Sequence, residues 1–163
     1  MMIKNARFAL AAAALLVAAA PAAQAQTATQ TVTFAVNAIN QIAFTGAPSL
    51  TIITAVAGSS PTSVTDASAS WAVTTNQTGA KITASIPTIM PAGLTLSGNL
   101  VAPTGGTSAG FQALGTVAAD MVTGITKLAQ GSLGVTYKLD ATPAAGVVTS
   151  ATRIVTYTIT GGT

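Results

Sequence analysis

Three carboxylates, Asp66, Asp120 and Asp140, and four cations, Lys81, Lys127, Lys138 and Arg153, are the only strong acids and bases downstream of residue 25. No His, Cys or Glu occurs there. A Ser or Thr nucleophile needs a base, and without His only a lysine is left; Lys81, Lys127 and Lys138 each adjoin strand-like residues and read as solvated side chains. Glycoside hydrolysis needs two carboxylates around one bond, whereas the three Asp are widely separated in the chain. A calcium site from Asp66, Asp120 and loop carbonyls lacks the spacing of a calcium loop, so these Asp read as turn caps. The same lysines with Asn37, Asn40 and Asn99 contain the ingredients of a spontaneous Lys–Asn amide bond, but no Glu is present to promote it and Lys138 falls on a polar strand face. Asn76-Gln77-Thr78 matches a glycosylation acceptor and reads more simply as loop. The composition points away from an enzyme and implies no metal and no cofactor.

What positions these residues begins with a leader. Lys4 and Arg7 form a basic start, Phe8 to Ala20 is an uncharged apolar run, Pro21 breaks it, and Ala23-Gln24-Ala25 places small residues where a signal peptidase reads. The run is 13 residues, short of the roughly 20 that span a bilayer. A cleaved signal of bacterial type over 1–25 is therefore expected. It delivers residues 26–163 through the secretion machinery to the cell surface or medium, with no membrane span left. The whole chain carries a net +3. Losing Lys4 and Arg7 leaves four cations against three carboxylates, with no basic stripe, so nucleic acid is not an expected partner. A nearly neutral surface lacks the repulsion that keeps proteins apart, which favours self-association.

Periodicity supplies the fold class. Alternation at period 2, the mark of half-buried strands, runs through six segments. Val32, Phe34 and Val36 alternate with Thr31 and Thr33; Trp71 and Val73 with Ser70, Ala72 and Thr74; Ile82, Ala84 and Ile86 with Lys81, Thr83 and Ser85. Leu94, Leu96 and Leu100 oppose Thr95, Ser97 and Asn99. Leu133, Val135, Tyr137 and Leu139 oppose Ser132, Thr136 and Lys138, and Val155, Tyr157 and Ile159 oppose Thr156, Thr158 and Thr160. Turn residues at 76–79, 87–93 and 143–146 and longer loops at 57–69 and 102–110 separate these runs. The stretch 118–129 fits either a short helical turn around Asp120 or an edge strand through Val122 and Ile125. The expected fold is all-β: a single antiparallel β-sandwich, immunoglobulin-like or jelly-roll-like, of about seven to nine strands with at most one short helical turn. Trp71, Tyr137 and Tyr157 stand on apolar strand faces and are expected in the core.

The leading segment of the mature chain, 26–37, has its own character. Gln26 to Gln30 is small and polar, Thr31 to Val36 alternates cleanly, and a second strand-like piece, 39–45, follows. Val32, Phe34 and Val36 share one face, which suits either the first strand of this sandwich or a strand donated to a neighbour's sheet.

Thr31-Val32-Thr33-Phe34, Ile39-Asn40-Gln41-Ile42 and Pro48-Ser49-Leu50-Thr51-Ile52 resemble segments of small secreted β-sandwich proteins of prokaryotic surfaces. So do Met90-Pro91-Ala92-Gly93-Leu94-Thr95-Leu96 and Ala119-Asp120-Met121-Val122-Thr123-Gly124-Ile125. In design the chain is similar to fibre subunits of the biofilm-matrix (TasA-like) and archaeal bundling-pilus kind. That resemblance implies a non-enzymatic subunit of a surface fibre or matrix, a homopolymer in which Val32, Phe34 and Val36 belong to the donated strand. The paired cysteines common in chaperone–usher pilins are absent. The alternative expectation is a monomeric exported module that binds carbohydrate or another surface as an adhesin.

Overall fold

A computed structural model describes residues 24–162; the expected leader, 1–25, lies outside them except for Gln24 and Ala25. The chain divides into two units, one ending at Ala35 and one starting at Val36. In the first, residues 24–35 carry neither helix nor strand and are exposed throughout.

The second unit is the sandwich. Its strands are β1 (Asn40–Thr45), β2 (Val64–Thr75), β3 (Ala80–Ser85), β4 (Leu94–Leu100), β5 (Thr107–Ser108), β6 (Gln112–Ala113), β7 (Ala119–Ile125), β8 (Leu128–Ala141) and β9 (Thr156–Thr160). One sheet has the order β1-β2-β8-β4-β6 and the other β5-β7-β3-β9, and every ladder is antiparallel. Among the described residues the one 3-10 turn is Pro143–Ala145; Asp120 lies within β7, whose Met121, Val122 and Ile125 are fully buried. The ambiguous stretch is thus a strand, because its apolar side chains find a core and its backbone finds β3.

Two expectations need correction. No strand forms over 31–36; the first strand begins at Asn40. Alternation gives a segment two faces, but a strand also needs a ladder partner for its N–H and C=O groups, and none of the nine strands pairs there. The supposed loop 57–69 is strand from Val64 onward. Its small residues, Thr65 to Ser70, hide the pattern, while pairing with β8 from Val64↔Leu139 to Thr75↔Leu128 supplies the partner. Two register shifts in that ladder, at Asp66/Ala69 and Trp71/Val73, locally raise the twist.

The core between the sheets holds Trp71, Ile82, Ile86, Leu100, Met121, Ile125, Val73, Val122 and Val135, all below 2 % exposed or close to it. Each aliphatic side chain fully buried this way contributes about 1.5–3 kcal/mol. Gly46, at φ +104°, lets the chain turn off β1 directly against Ala69, where a Cβ would lie 2.7 Å from the Ala69 Cα.

The sheets are unequal, and this shapes the site. β2 and β8 run for 12 and 14 residues, β3 and β9 for 6 and 5. At roughly 3.3 Å per residue, β8 extends far beyond β3. The β2–β3 loop aligns the sheets at the Thr75 end, so the overhang falls at the Val64 end. There the inward side chains of Tyr137, Leu139 and Leu96 have no full strand above them.

Candidate functional site

The charged residues sit singly or in pairs. Asp66 accepts hydrogen bonds from the Ser68 N–H at 2.7 Å and the Ser49 N–H at 2.8 Å, the arrangement of a turn cap. Asp120 pairs with Lys81 at 2.9 Å and Asp140 with Lys138 at 3.0 Å; the Ser63 hydroxyl also donates to Asp140. Lys127 occupies the turn between β7 and β8, with φ 40°. The Asn40 side chain accepts from Thr75 at 2.7 Å and that of Asn99 from Ser108 at 3.1 Å, so these amides are engaged with hydroxyls and not with lysines. Among the described residues no three His, Cys, Asp or Glu side chains come together, and no helix is long and apolar enough to cross a membrane.

Val32, Phe34 and Val36 are 73 %, 89 % and 79 % exposed. Three apolar side chains at alternate positions of an unpaired segment are costly to leave in water, since each would gain from burial.

The overhang forms the other notable feature, a cleft of about 580 Å³. Its floor is Leu96, Tyr137 and Leu139 from the long sheet, and its walls include Phe44, Leu50, Val155 and Tyr157. Phe44 stacks on Tyr157 with centroids 3.9 Å apart and lies 6.0 Å from Trp71. The hydroxyls of Tyr137 and Tyr157 meet at 2.8 Å, joining the two sheets across the cleft. Trp71 and Tyr137 are in the core, as expected, and Tyr157 packs against it. Arg153 is the one charged residue in the lining. Its Nη1 donates to the Thr152 carbonyl at 2.9 Å, whereas its Nε is buried with no acceptor.

The cleft was not foreseen in the sequence, because it arises from unequal strand lengths. The local signal was the position of Arg153, two residues before the alternating Val155, Tyr157 and Ile159.

These groups fix a pH profile. Burial pushes the Tyr157 and Tyr137 hydroxyls above their ordinary value of 10.0; their mutual hydrogen bond raises Tyr157 further and offsets part of the rise at Tyr137. Both stay protonated in the fold where an unfolded chain would ionise them. Their contribution is complete below pH 10.0 and is lost as pH rises through the folded values. Asp140, held down by Ser63 and then Lys138, and Asp66, held down by Ser68 and then Ser49, lie below 3.8. Their contribution is present above 3.8 and is lost as pH falls through the folded values; being exposed, they add little. The urea midpoint of residues 26–163 should be flat between these limits, dip slightly in acid and fall steeply in alkali. Tyr157→Phe should remove much of the alkaline fall; an unchanged alkaline arm would mean that the tyrosine pair does not couple to folding.

No protein-family model, no curated protein and no solved structure matches the chain.

Proposed function

We propose that the mature chain is a non-enzymatic structural subunit of an extracellular or cell-surface fibre or matrix, exported by its leader and joined to further copies by β-strand addition. The observation that carries this reading is the segment 31–36. Val32, Phe34 and Val36 are exposed apolar residues at alternate positions, in a segment that belongs to neither sheet of a chain with few groups able to make or break bonds. Donation to a neighbour's sheet would satisfy the segment's backbone and bury that face at once. The near balance of charge adds to this, because little repulsion opposes close packing of copies.

A second reading has one observation in its favour. Phe44, Tyr137 and Tyr157 line an open cleft, as the aromatic rings of a carbohydrate-binding module do. Against it, the two tyrosine hydroxyls bond to each other, which leaves them less free for a sugar.

Electron microscopy of residues 26–163 beside residues 37–163 tests the fibre reading. Filaments from the longer chain and none from the shorter are expected. Stable monomers from both would end it.

A further inference from the structure

We propose that the receiving site is the open edge of β9 with the adjoining cleft, and that its occupant is residues 31–36 of a second copy, paired antiparallel and held by Arg153. This rests on the fibre reading and names the surface that reading requires.

The edges narrow the choice. β5 and β6, the outer strands on one side, are two residues long and offer little ladder. On the other side β1 and β9 are the open edges. Natural edges are usually blunted by charge, proline or a bulge. Neither β1, Asn-Gln-Ile-Ala-Phe-Thr, nor β9, Thr-Tyr-Thr-Ile-Thr, has any of these, and each pairs with its one neighbour in unbroken register. Both edges border the cleft, β1 through Ile42, Ala43 and Phe44 and β9 through Tyr157 with the preceding Val155; Arg153, just ahead of β9, is what singles out the β9 edge.

The occupant follows from chemistry. The lining is mostly apolar, with Arg153 its one charge and no carboxylate; the segment 26–36 contains no charged residue. Alternation then sets the pairing. An antiparallel guest, like every other ladder here, places Val36 beside Val155, Phe34 beside Tyr157 and Val32 beside Ile159. All six face inward, while Thr33 of the guest comes beside Thr158 of the host on the outer face. Arg153 fits the same arrangement. Its Nε, covered in the single chain, lacks an acceptor, and a buried unpaired donor is expensive; in this register Arg153 falls beside position 38 of the guest, and by turning toward the edge it reaches the main-chain carbonyls next to Val36. A guest lacking backbone carbonyls at that edge would leave it orphaned.

The direction of the guest makes the contact propagate. In the host, the stem that carries its own segment is tied at the Thr75 end: the Ile39 N–H donates to Asn76 Oδ1 at 2.8 Å, and Asn76 Nδ2 donates to the Asn37 carbonyl at 2.8 Å. An antiparallel guest leaves β9 at the Val155 end, toward the opposite side of the body. Giving and receiving surfaces therefore differ, a heterologous contact that builds an open filament and not a closed pair.

Because the chain has no cysteine, the pairing can be read directly. Mature Thr33→Cys and Thr158→Cys chains, mixed and mildly oxidised, should give a disulfide-linked dimer several-fold more abundantly than Thr33→Cys mixed with Thr156→Cys or Thr160→Cys. Arg153→Lys keeps the charge and removes Nε; it should raise the critical concentration for filaments about tenfold, the scale of one hydrogen bond to a charged group. If filaments form but the Thr33–Thr158 link is no better than its neighbours, the receiving site is elsewhere and the fibre reading survives. If Arg153→Lys assembles as the parent does, Arg153 holds nothing. If neither filaments nor links appear, the fibre reading falls and this site with it.

Discussion

Phe34→Asp should abolish the proposed filament formation by residues 26–163 and leave their melting temperature unchanged. In the single chain Phe34 is 89 % exposed, so removing its ring costs the fold almost nothing. In the proposed assembly it is the largest apolar group of the donated segment, and an aspartate in its place would be taken out of water beside Tyr157, four residues along the chain from Arg153, the one cation of the lining. Such a buried, unpaired charge costs several kcal/mol; at 1.4 kcal/mol per tenfold, the critical concentration should rise by more than a hundredfold. Thr33→Asp, on the opposite face, puts the same charge into water and should assemble far better. Sedimentation velocity and thermal melting of the three chains decide the matter. Equal filament yields from Phe34→Asp and the parent would remove the donated face from the account.

Trp71→Ala should be the most damaging single truncation to the body, at about 3–5 kcal/mol. Trp71 is 2 % exposed, packs between the sheets near Phe44, and its indole N–H donates to the Val101 carbonyl at 3.2 Å. The substitution opens a cavity and leaves that carbonyl with one partner fewer. Domains of this size have a total stability of roughly 5–15 kcal/mol, so the variant should be largely unfolded by moderate urea concentrations at which the parent is folded. A loss below about 1 kcal/mol, measured by urea unfolding, would show that the core is not organised around this ring.

The sheet interiors were legible because alternation and burial coincide in them. Ile82 and Ala84, or Val135 and Tyr137, announce their inward face two residues at a time, and each finds the core. The start of β2 was not legible: Thr65 to Ser70 has no bulky residue to mark a face, and only pairing with β8 makes it a strand. The reverse error occurred at 31–36, where a clear face has no partner in its own sheets. The stretch 118–129 was decided by burial of Met121 and Val122 in succession, a departure from strict alternation that coincides with the register shift in the β3–β7 ladder. At the site, the candidate residues Val32, Phe34 and Val36 could be named from spacing alone. The cleft and Arg153 could not, since both depend on how far one sheet outruns the other.

The stem at Asn37–Asn40 enters β1 along the strand axis, and β1 is joined to β2 at six consecutive register positions, from Asn40↔Thr75 to Thr45↔Ser70. Tension applied through that stem pulls β1 lengthwise against its neighbour, so the rungs of the ladder are loaded together in shear. Peeling, which would break them one at a time, requires a sideways pull that this attachment does not deliver. A body fastened in this way resists stretching well above what its modest number of hydrogen bonds would suggest, and it does so without a disulfide.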